Sequence, residues 1–309
     1  MASTEVTYVP PPSKKTGPAK KIESLRKFLW NPARKEFLGR DGWSWGRIGL
    51  FYLIFYSGLA GFFAINLSVF IYTLDKDTPR LSGDSSITTN FPGIGFRPIP
   101  DIRTTLIRFE QGKPSTYKAY VDHIQATLRD YENDRQESEQ FDSCQSTRPR
   151  DKICKFLVDD LGEECTYRKD FGYDLGKPCI LLKINKLFGW EPEMYTPGSD
   201  EASGIQNSTG VSLTEDNVQV YCEGENPADR ENIGPIVYYP SAGFHKKYFP
   251  FTNQEGYRQP IVMAQFTKPQ AGRLIQVVCK LVAKNIPNEE RQLDSMHKEG
   301  SVHFELLVD

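Results

Sequence analysis

The chain has 309 residues, a formal net charge of −2, 39% hydrophobic and 25% charged residues, and six cysteines. The charge is unevenly placed: the first 47 residues hold ten Lys/Arg against four Asp/Glu, a net of +6 that leaves −8 for the rest. An acidic bulk of that length suits a core-bearing domain and argues against nucleic acid as a partner.

In chain order, residues 1–20, with Pro10-Pro11-Pro12 and little apolar content, read as disordered. Ile22 to Gly39 sets Ile22, Leu25, Phe28, Leu29 and Trp30 among basic residues, the pattern of a short helix lying on a membrane surface. Trp43 and Trp45 follow where an interfacial aromatic belt belongs. Ile48 to Leu74 then runs 27 residues without a charge. At about 1.5 Å per residue this crosses a hydrocarbon core of about 30 Å, whereas a buried core helix rarely stays uncharged so long. A cleaved signal peptide fits less well: the basic stretch is too long and no small-residue cleavage site follows. Arg26, Lys27, Arg34, Lys35, Arg40 and Arg47 precede the span with no matching excess after it, so the N-terminus is expected in the cytoplasm. The basic tail should be held to an anionic leaflet by roughly 1 kcal/mol per nearby cation. The expected organisation is a cytoplasmic tail (1–47), a transmembrane helix (48–74), a stalk (75–104) and a disulfide-stabilised extracellular domain (105–309).

Pro79 to Pro100 is rich in Gly, Ser and Pro, which suits the stalk. Ser115 is the expected cap of a helix whose apolar residues Tyr117, Tyr120, Val121, Ile124, Leu128 and Tyr131 recur at three and four. Strands are expected at Cys179–Ile184, Val218–Cys222, Ile236–Tyr239, Ile261–Thr267, Arg273–Ala283 and Val302–Val308. In the last, Val302, Phe304, Leu306 and Val308 make one apolar face. Short strands with Gly/Pro turns argue for an antiparallel sandwich with an accessory helix.

Cys144, Cys154, Cys165, Cys179, Cys222 and Cys279 all follow the span. An even count in an oxidising compartment reads as three disulfides, and the absence of C-x-x-C argues against structural zinc. Spacing leaves the pairing open. The first four cysteines suggest local loops; Cys222 and Cys279 sit in strand-like stretches and suit a bridge between two strands. One usable glycosylation sequon occurs, Asn207-Ser208-Thr209, in what reads as a polar loop; Asn66-Leu67-Ser68 falls within the span.

On a helical projection Tyr52, Phe55, Tyr56, Leu59, Phe63 and Asn66 share one side of the span, and Ser57, Gly61, Ala64 and Ser68 another. Small residues permit close approach of a second helix, and a mid-membrane Asn prefers a hydrogen-bonding partner. This helix is expected to pack against other helices.

Catalytic chemistry leaves no trace. The nucleotide, zinc-protease and serine-hydrolase motifs are missing, and the G-x-G at Gly93 and Gly95 meets Pro98 where a third glycine is needed. Asp75-Lys76-Asp77 copies the metal–nucleotide string of type II glycosyltransferases but abuts the span, where it reads as a charge stop. His123, His245, His297 and His303 show no ligand spacing. No catalytic, cofactor or metal site is expected.

The run Lys35-Glu36-Phe37-Leu38-Gly39-Arg40, then Trp45, Phe51-Tyr52-Leu53-Ile54-Phe55-Tyr56 and Leu59-Ala60-Gly61 closely resembles the β subunits of animal Na⁺/K⁺-transporting ATPases. The likeness continues through Gly172-Tyr173, Gly176-Lys177-Pro178-Cys179-Ile180 and Leu187-Phe188-Gly189-Trp190-Glu191-Pro192. It resumes in Tyr248-Phe249-Pro250-Phe251, Gln259-Pro260 and Ala264-Gln265-Phe266-Thr267, and in detail it is nearest the insect, Nervana-like members. The resemblance implies a single-span type II plasma-membrane protein with an immunoglobulin-like ectodomain. It also implies a non-catalytic subunit that folds, delivers and tunes a multi-span P-type α subunit, with a further small single-span regulator as a possible third partner. By the same likeness the disulfides are Cys144–Cys154, Cys165–Cys179 and Cys222–Cys279. Tyr52, Phe55, Tyr56 and Gly61 would meet the α subunit's late spans, and Tyr248, Phe249 and Phe251 an extracellular α loop. Thr252-Asn253-Gln254 departs from the Tyr-Gly-Lys common in vertebrate members. The alternatives are a pump-independent adhesion or junction protein and the β subunit of an H⁺/K⁺ pump.

Overall fold

The computed structural model describes residues 18–75, 77–87, 91–144, 152–286 and 300–309. It divides into two compact units, Met1–Leu74 and Asp75–Asp309. The expectation of disorder for 1–20 lies mostly outside the described residues, although Pro18 to Lys20 already belong to a helix.

In the N-terminal unit, α1 (Pro18–Leu29) ends in a tight hairpin of β1 (Trp30–Asn31) and β2 (Glu36–Phe37), so the surface helix is shorter than the expected 22–39. Then comes α2 (Gly42–Thr73), which starts six residues before the charge-free run. Asp41 explains the early start: its carboxylate accepts the Ser44 backbone N–H at 3.3 Å and caps the first turn. No residue of α2 is buried, and its Leu, Ile, Phe and Val side chains point outward all round. A helix apolar on every side, with no buried residue along its length, has lipid as its natural solvent. After Leu74 the Asp75 carboxylate accepts the N–H groups of Asp77 (2.9 Å) and Thr78 (3.4 Å) and the Thr78 hydroxyl (2.8 Å). Asp75 is thus engaged by its own turn, which closes the helix end.

The C-terminal unit is mainly β. β3 (Ile94–Arg97) and β4 (Leu106–Phe109) precede α3 (Pro114–Leu128), and the short pair β5 (Phe141–Asp142) and β6 (Ile153–Cys154) precedes β7 (Cys179–Ile184). α4 (Asp200–Thr209), β8 (Asn217–Gly224), α5 (Pro227–Asn232), β9 (Ile236–Tyr239) and β10 (Gly243–His245) follow. The chain ends with β11 (Ile261–Phe266), β12 (Leu274–Val282) and β13 (Ser301–Val308). One sheet has the order β10-β8-β12-β13-β4, the other β3-β7-β11-β9. Phe304 of β13 stacks on Phe96 of β3 (4.8 Å) and meets Phe266 of β11 edge-on (6.1 Å), so the two sheets face each other across one core. This is the expected sandwich.

Three strands of the two main sheets, besides the two-residue pairs β1–β2 and β5–β6, are not marked by the sequence. β3 lies inside the segment assigned to the stalk, yet Ile94 and Phe96 are buried and pair with Ile184 and Leu182; its Gly/Pro-rich flanks mask an edge strand. β4 pairs in parallel with β13, about the most non-local contact this chain offers, secured by Arg108–Asp309 (2.9 Å) and Thr105–Glu305 (2.7 Å). β10 is only three residues long.

Helix α3 buries Tyr117, Val121, Ile124 and Leu128 as the spacing predicts, but Ser115 is not its cap. Lys113 occupies that position, Pro114 takes the first turn, where its missing N–H is harmless, and the Thr116 hydroxyl accepts the Glu110 N–H at 3.0 Å. Tyr117 packs with Phe109 and Tyr173 and donates to Asp174 at 2.9 Å. Gly172, next to Tyr173, has φ +78°, and a Cβ there would lie 2.1 Å from the Lys177 carbonyl oxygen. Only glycine fits that backbone crossing.

The cysteines form Cys144–Cys154, Cys165–Cys179 and Cys222–Cys279. In an antibody-type domain the bridge joins the two sheets. Here Cys222 and Cys279 are direct partners on β8 and β12 of one sheet. The link to the opposite sheet is made instead by Tyr238 of β9, whose hydroxyl accepts the Cys222 N–H at 2.7 Å. Burial pushes the Tyr238 phenol up to about 12, so it stays neutral.

Candidate partner-binding surfaces

On α2, Tyr52 stacks on Tyr56 (5.8 Å) and Phe51 on Phe55 (6.1 Å), each pair one turn apart. Edge contacts of 5.4 Å join the two stacks, so four rings make one continuous aromatic plate. Tyr52, Phe55 and Tyr56 remain 48%, 51% and 58% exposed. A Cβ at Gly61 would meet nothing within 4 Å, which leaves an open notch in the helix wall. Asn66, expected to seek another helix, instead donates to the Phe62 carbonyl at 2.8 Å. Its polar cost is met within α2, so it carries no argument for a partner.

The second surface joins two segments some 60 residues apart. The Gly189 N–H donates to the Phe251 carbonyl at 2.8 Å, Phe188 and Phe251 form an isolated parallel bridge, and Trp190 meets Phe249 edge-on at 5.3 Å. Lys186 stands 5.4 Å over the Phe251 ring and 5.7 Å over Tyr257. Phe249 and Phe251 are half-buried. Tyr248 is different: it is 8% exposed, packs on Phe156 and donates to the Lys155 carbonyl at 3.2 Å. Its ring belongs to the core rather than to the exposed surface. A cavity of about 250 Å³ lies beside it, lined by Phe156, Phe244, His245, Pro240 and Ile261. Lys186 was missed because nothing local distinguishes it from any other lysine.

Residues 15–304 match the sodium/potassium ATPase beta chain family. The chain belongs to that family. It is 34% identical over 306 residues to sodium/potassium-transporting ATPase subunit beta-2 of Drosophila melanogaster, covering 94% of this chain and 93% of the relative. It is 36% identical to subunit beta-1 of the same organism over 94% of each chain, and 31% identical to subunit beta-2 of Rhinella marina over 93% and 95%.

In this beta-chain family member the sequon residue Asn207 is exposed, but it sits in the last turns of α4 rather than in a loop, with Thr209 bonded to the Ile205 carbonyl. The Thr252-Asn253-Gln254 departure forms its own turn: Asn253 has φ +60°, and Gln254 accepts the Thr252 N–H at 2.8 Å. Among the described residues no group of three or more His, Cys, Asp or Glu converges as a metal site.

Two histidines of this family member act as neutral acceptors: His123 Nδ1 takes the Ile99 N–H at 3.2 Å, and His245 Nδ1 the Lys247 N–H at 3.1 Å. His297 lies outside the described residues. Burial lowers both pKa values, helped at His123 by Arg97 and Lys183 and at His245 by Lys247. As the pH falls through the unfolded value of about 6.5 toward the lower folded values, the unfolded chain therefore binds more protons than the folded one, and stability decreases as the solution becomes more acidic. Asp101 and Asp216, whose pKa values are lowered below 3.8, lose their contribution only at much stronger acidity. Thermal unfolding should thus occur at lower temperature at pH 5.5 than at 7.5, and His123→Ala with His245→Ala should flatten that dependence.

Proposed function

We propose that this chain is the non-catalytic β subunit of a Na⁺/K⁺-transporting P-type ATPase, a single-span type II protein of the plasma membrane that pairs with the α subunit. In this role it assists folding and delivery of the α subunit and adjusts cation transport; ATP hydrolysis and ion binding belong to the partner. The carrying observation is the exposed aromatic plate of Tyr52, Phe55 and Tyr56 on a helix with no buried residue. A mere anchor for an adhesion domain needs no such plate. The plate and the notch at Gly61 suit the α subunit's spans, while Phe249 and Phe251, held against Phe188 and Trp190, suit an extracellular α loop. The Lys/Arg excess before α2 favours a cytoplasmic N-terminus.

Tyr52→Ala with Tyr56→Ala removes two large aromatic contacts and leaves α2 apolar enough to insert. Association with the α subunit should weaken by about 1–3 kcal/mol, the scale of truncating aromatic anchors. Less α subunit should then be recovered in mild detergent, with disulfides and ectodomain folding intact. Unchanged recovery and cation dependence would return the tyrosines to lipid anchoring. Orientation has its own readout: the glycosidase-sensitive gel shift should disappear in Asn207→Gln, because only a lumenal Asn207 can be modified. A remaining sensitive species would point to another site.

A further inference from the structure

Ahead of α2 lies a small folded head whose apolar groups face outward. Ile22, Leu25, Phe28 and Leu29 of α1 are 69%, 61%, 57% and 45% exposed, and their spacing puts them along one side of the helix. Arg26, Lys27, Arg34, Lys35, Arg40 and Arg47 are exposed in the same stretch. The head is also tied down. The Leu38 N–H donates to the Leu29 carbonyl at 3.2 Å, which folds the hairpin back on the end of α1. Trp45, expected only as an interfacial belt residue, donates its indole N–H to the Phe37 carbonyl at 2.8 Å and packs on the Phe37 ring at 5.9 Å. Gly39, at φ +76°, makes a turn that an L side chain would strain, and the Phe28 ring packs alongside it. The Leu29 and Phe28 contacts hold the hairpin and its following turn against α1, and the Trp45–Phe37 contact fastens the hairpin to the first turn of α2.

We propose that residues 18–47 form a clasped, basic amphipathic head that lies in the headgroup layer of the leaflet α2 enters and binds anionic phospholipid there. The occupant follows from continuity: a helix that crosses a bilayer from Gly42 brings that bilayer's surface to residues directly joined to it. A row of exposed Leu, Ile and Phe beside six cations suits apolar insertion below and phosphate contact at the rim. The clasp adds register, because a tail merely attracted by charge needs neither a Phe37–Trp45 contact nor the left-handed turn at Gly39. The inference needs only that α2 cross a membrane, so it stands or falls separately from pairing with an α subunit.

The test uses the full chain in lipid nanodiscs with Leu25→Cys carrying an environment-sensitive fluorophore. The six native cysteines are all in disulfides, so the label goes to the new one. With headgroup-nitroxide lipids, quenching and blue shift should be severalfold stronger in phosphatidylserine-rich discs than in pure phosphatidylcholine. Arg26→Gln, Lys27→Gln, Arg34→Gln and Lys35→Gln together should reduce the signal to the phosphatidylcholine level. Gly39→Val should also lower it, with unchanged helix content by circular dichroism. Solvent-like emission in both discs would overturn the proposal, and so would equal quenching in both. Loss of quenching when a pump α subunit is co-reconstituted would assign the face to protein and overturn it as well.

Discussion

Cys222→Ser should leave most of the protein retained in the secretory pathway. The Cys222–Cys279 bridge spans 57 positions, for which restricting the unfolded chain is worth roughly 4 kcal/mol. That is a large part of the about 5–15 kcal/mol that holds a domain folded. The local surroundings add to the effect. Cys279 is fully buried at the centre of β12, and the Cys222 backbone N–H is bonded to Tyr238 of the opposite sheet. A thiol and a hydroxyl left face to face weaken both the β8–β12 pairing and the tie to β9. For a domain of this size the melting temperature should fall by roughly 8–16 °C. The checks are the fraction bearing mature glycans at the cell surface and the unfolding midpoint of purified protein. Wild-type surface delivery in the variant would remove this bridge from the features that hold the ectodomain together.

Phe304→Ala should be comparably damaging for a different reason. The ring is buried between the sheets, stacked on Phe96 and edge-on to Phe266, so truncation opens a cavity that three strands line together. Phe→Ala changes in such cores cost about 3–5 kcal/mol, because the neighbours relax only partly. The melting temperature should drop by roughly 6–20 °C. Leu274→Ala, on β12 in the same sheet but 54% exposed, should shift stability by no more than about 0.5 kcal/mol. If the two variants melted together, Phe304 would not be the contact that couples the sheets.

The spanning helix is legible in the amino-acid order, because a run that needs lipid rather than a protein partner declares itself in composition alone. So are strands β7, β8, β9, β11, β12 and β13, whose β-branched and aromatic residues mark pleated, buried surface wherever they pair, and the buried face of α3, whose spacing is local. Family membership was legible from short motifs around the span and in the ectodomain. Cysteine spacing, by contrast, left the bridges open; the consecutive pairing came from resemblance and is the one the fold contains.

Features that depend on partners far apart in the chain emerge only in the folded molecule. β3 looked like stalk because an edge strand needs just two buried side chains, Ile94 and Phe96, and its neighbour β7 lies nearly 90 residues later. β4 became a strand through β13, the last element of the chain. Tyr248 shared a motif with Phe249 and Phe251, yet a 3₁₀ turn at Lys246–Tyr248 sends its ring inward while Phe249 and Phe251 reach Leu187–Trp190. Asn66 and Trp45 had roles that their residue types suggested but their hydrogen bonds changed, one closing on its own helix and the other clasping the hairpin. Hydrophobic pattern is a property of neighbours in sequence; register, edge pairing and the sharing of donors are properties of neighbours in space.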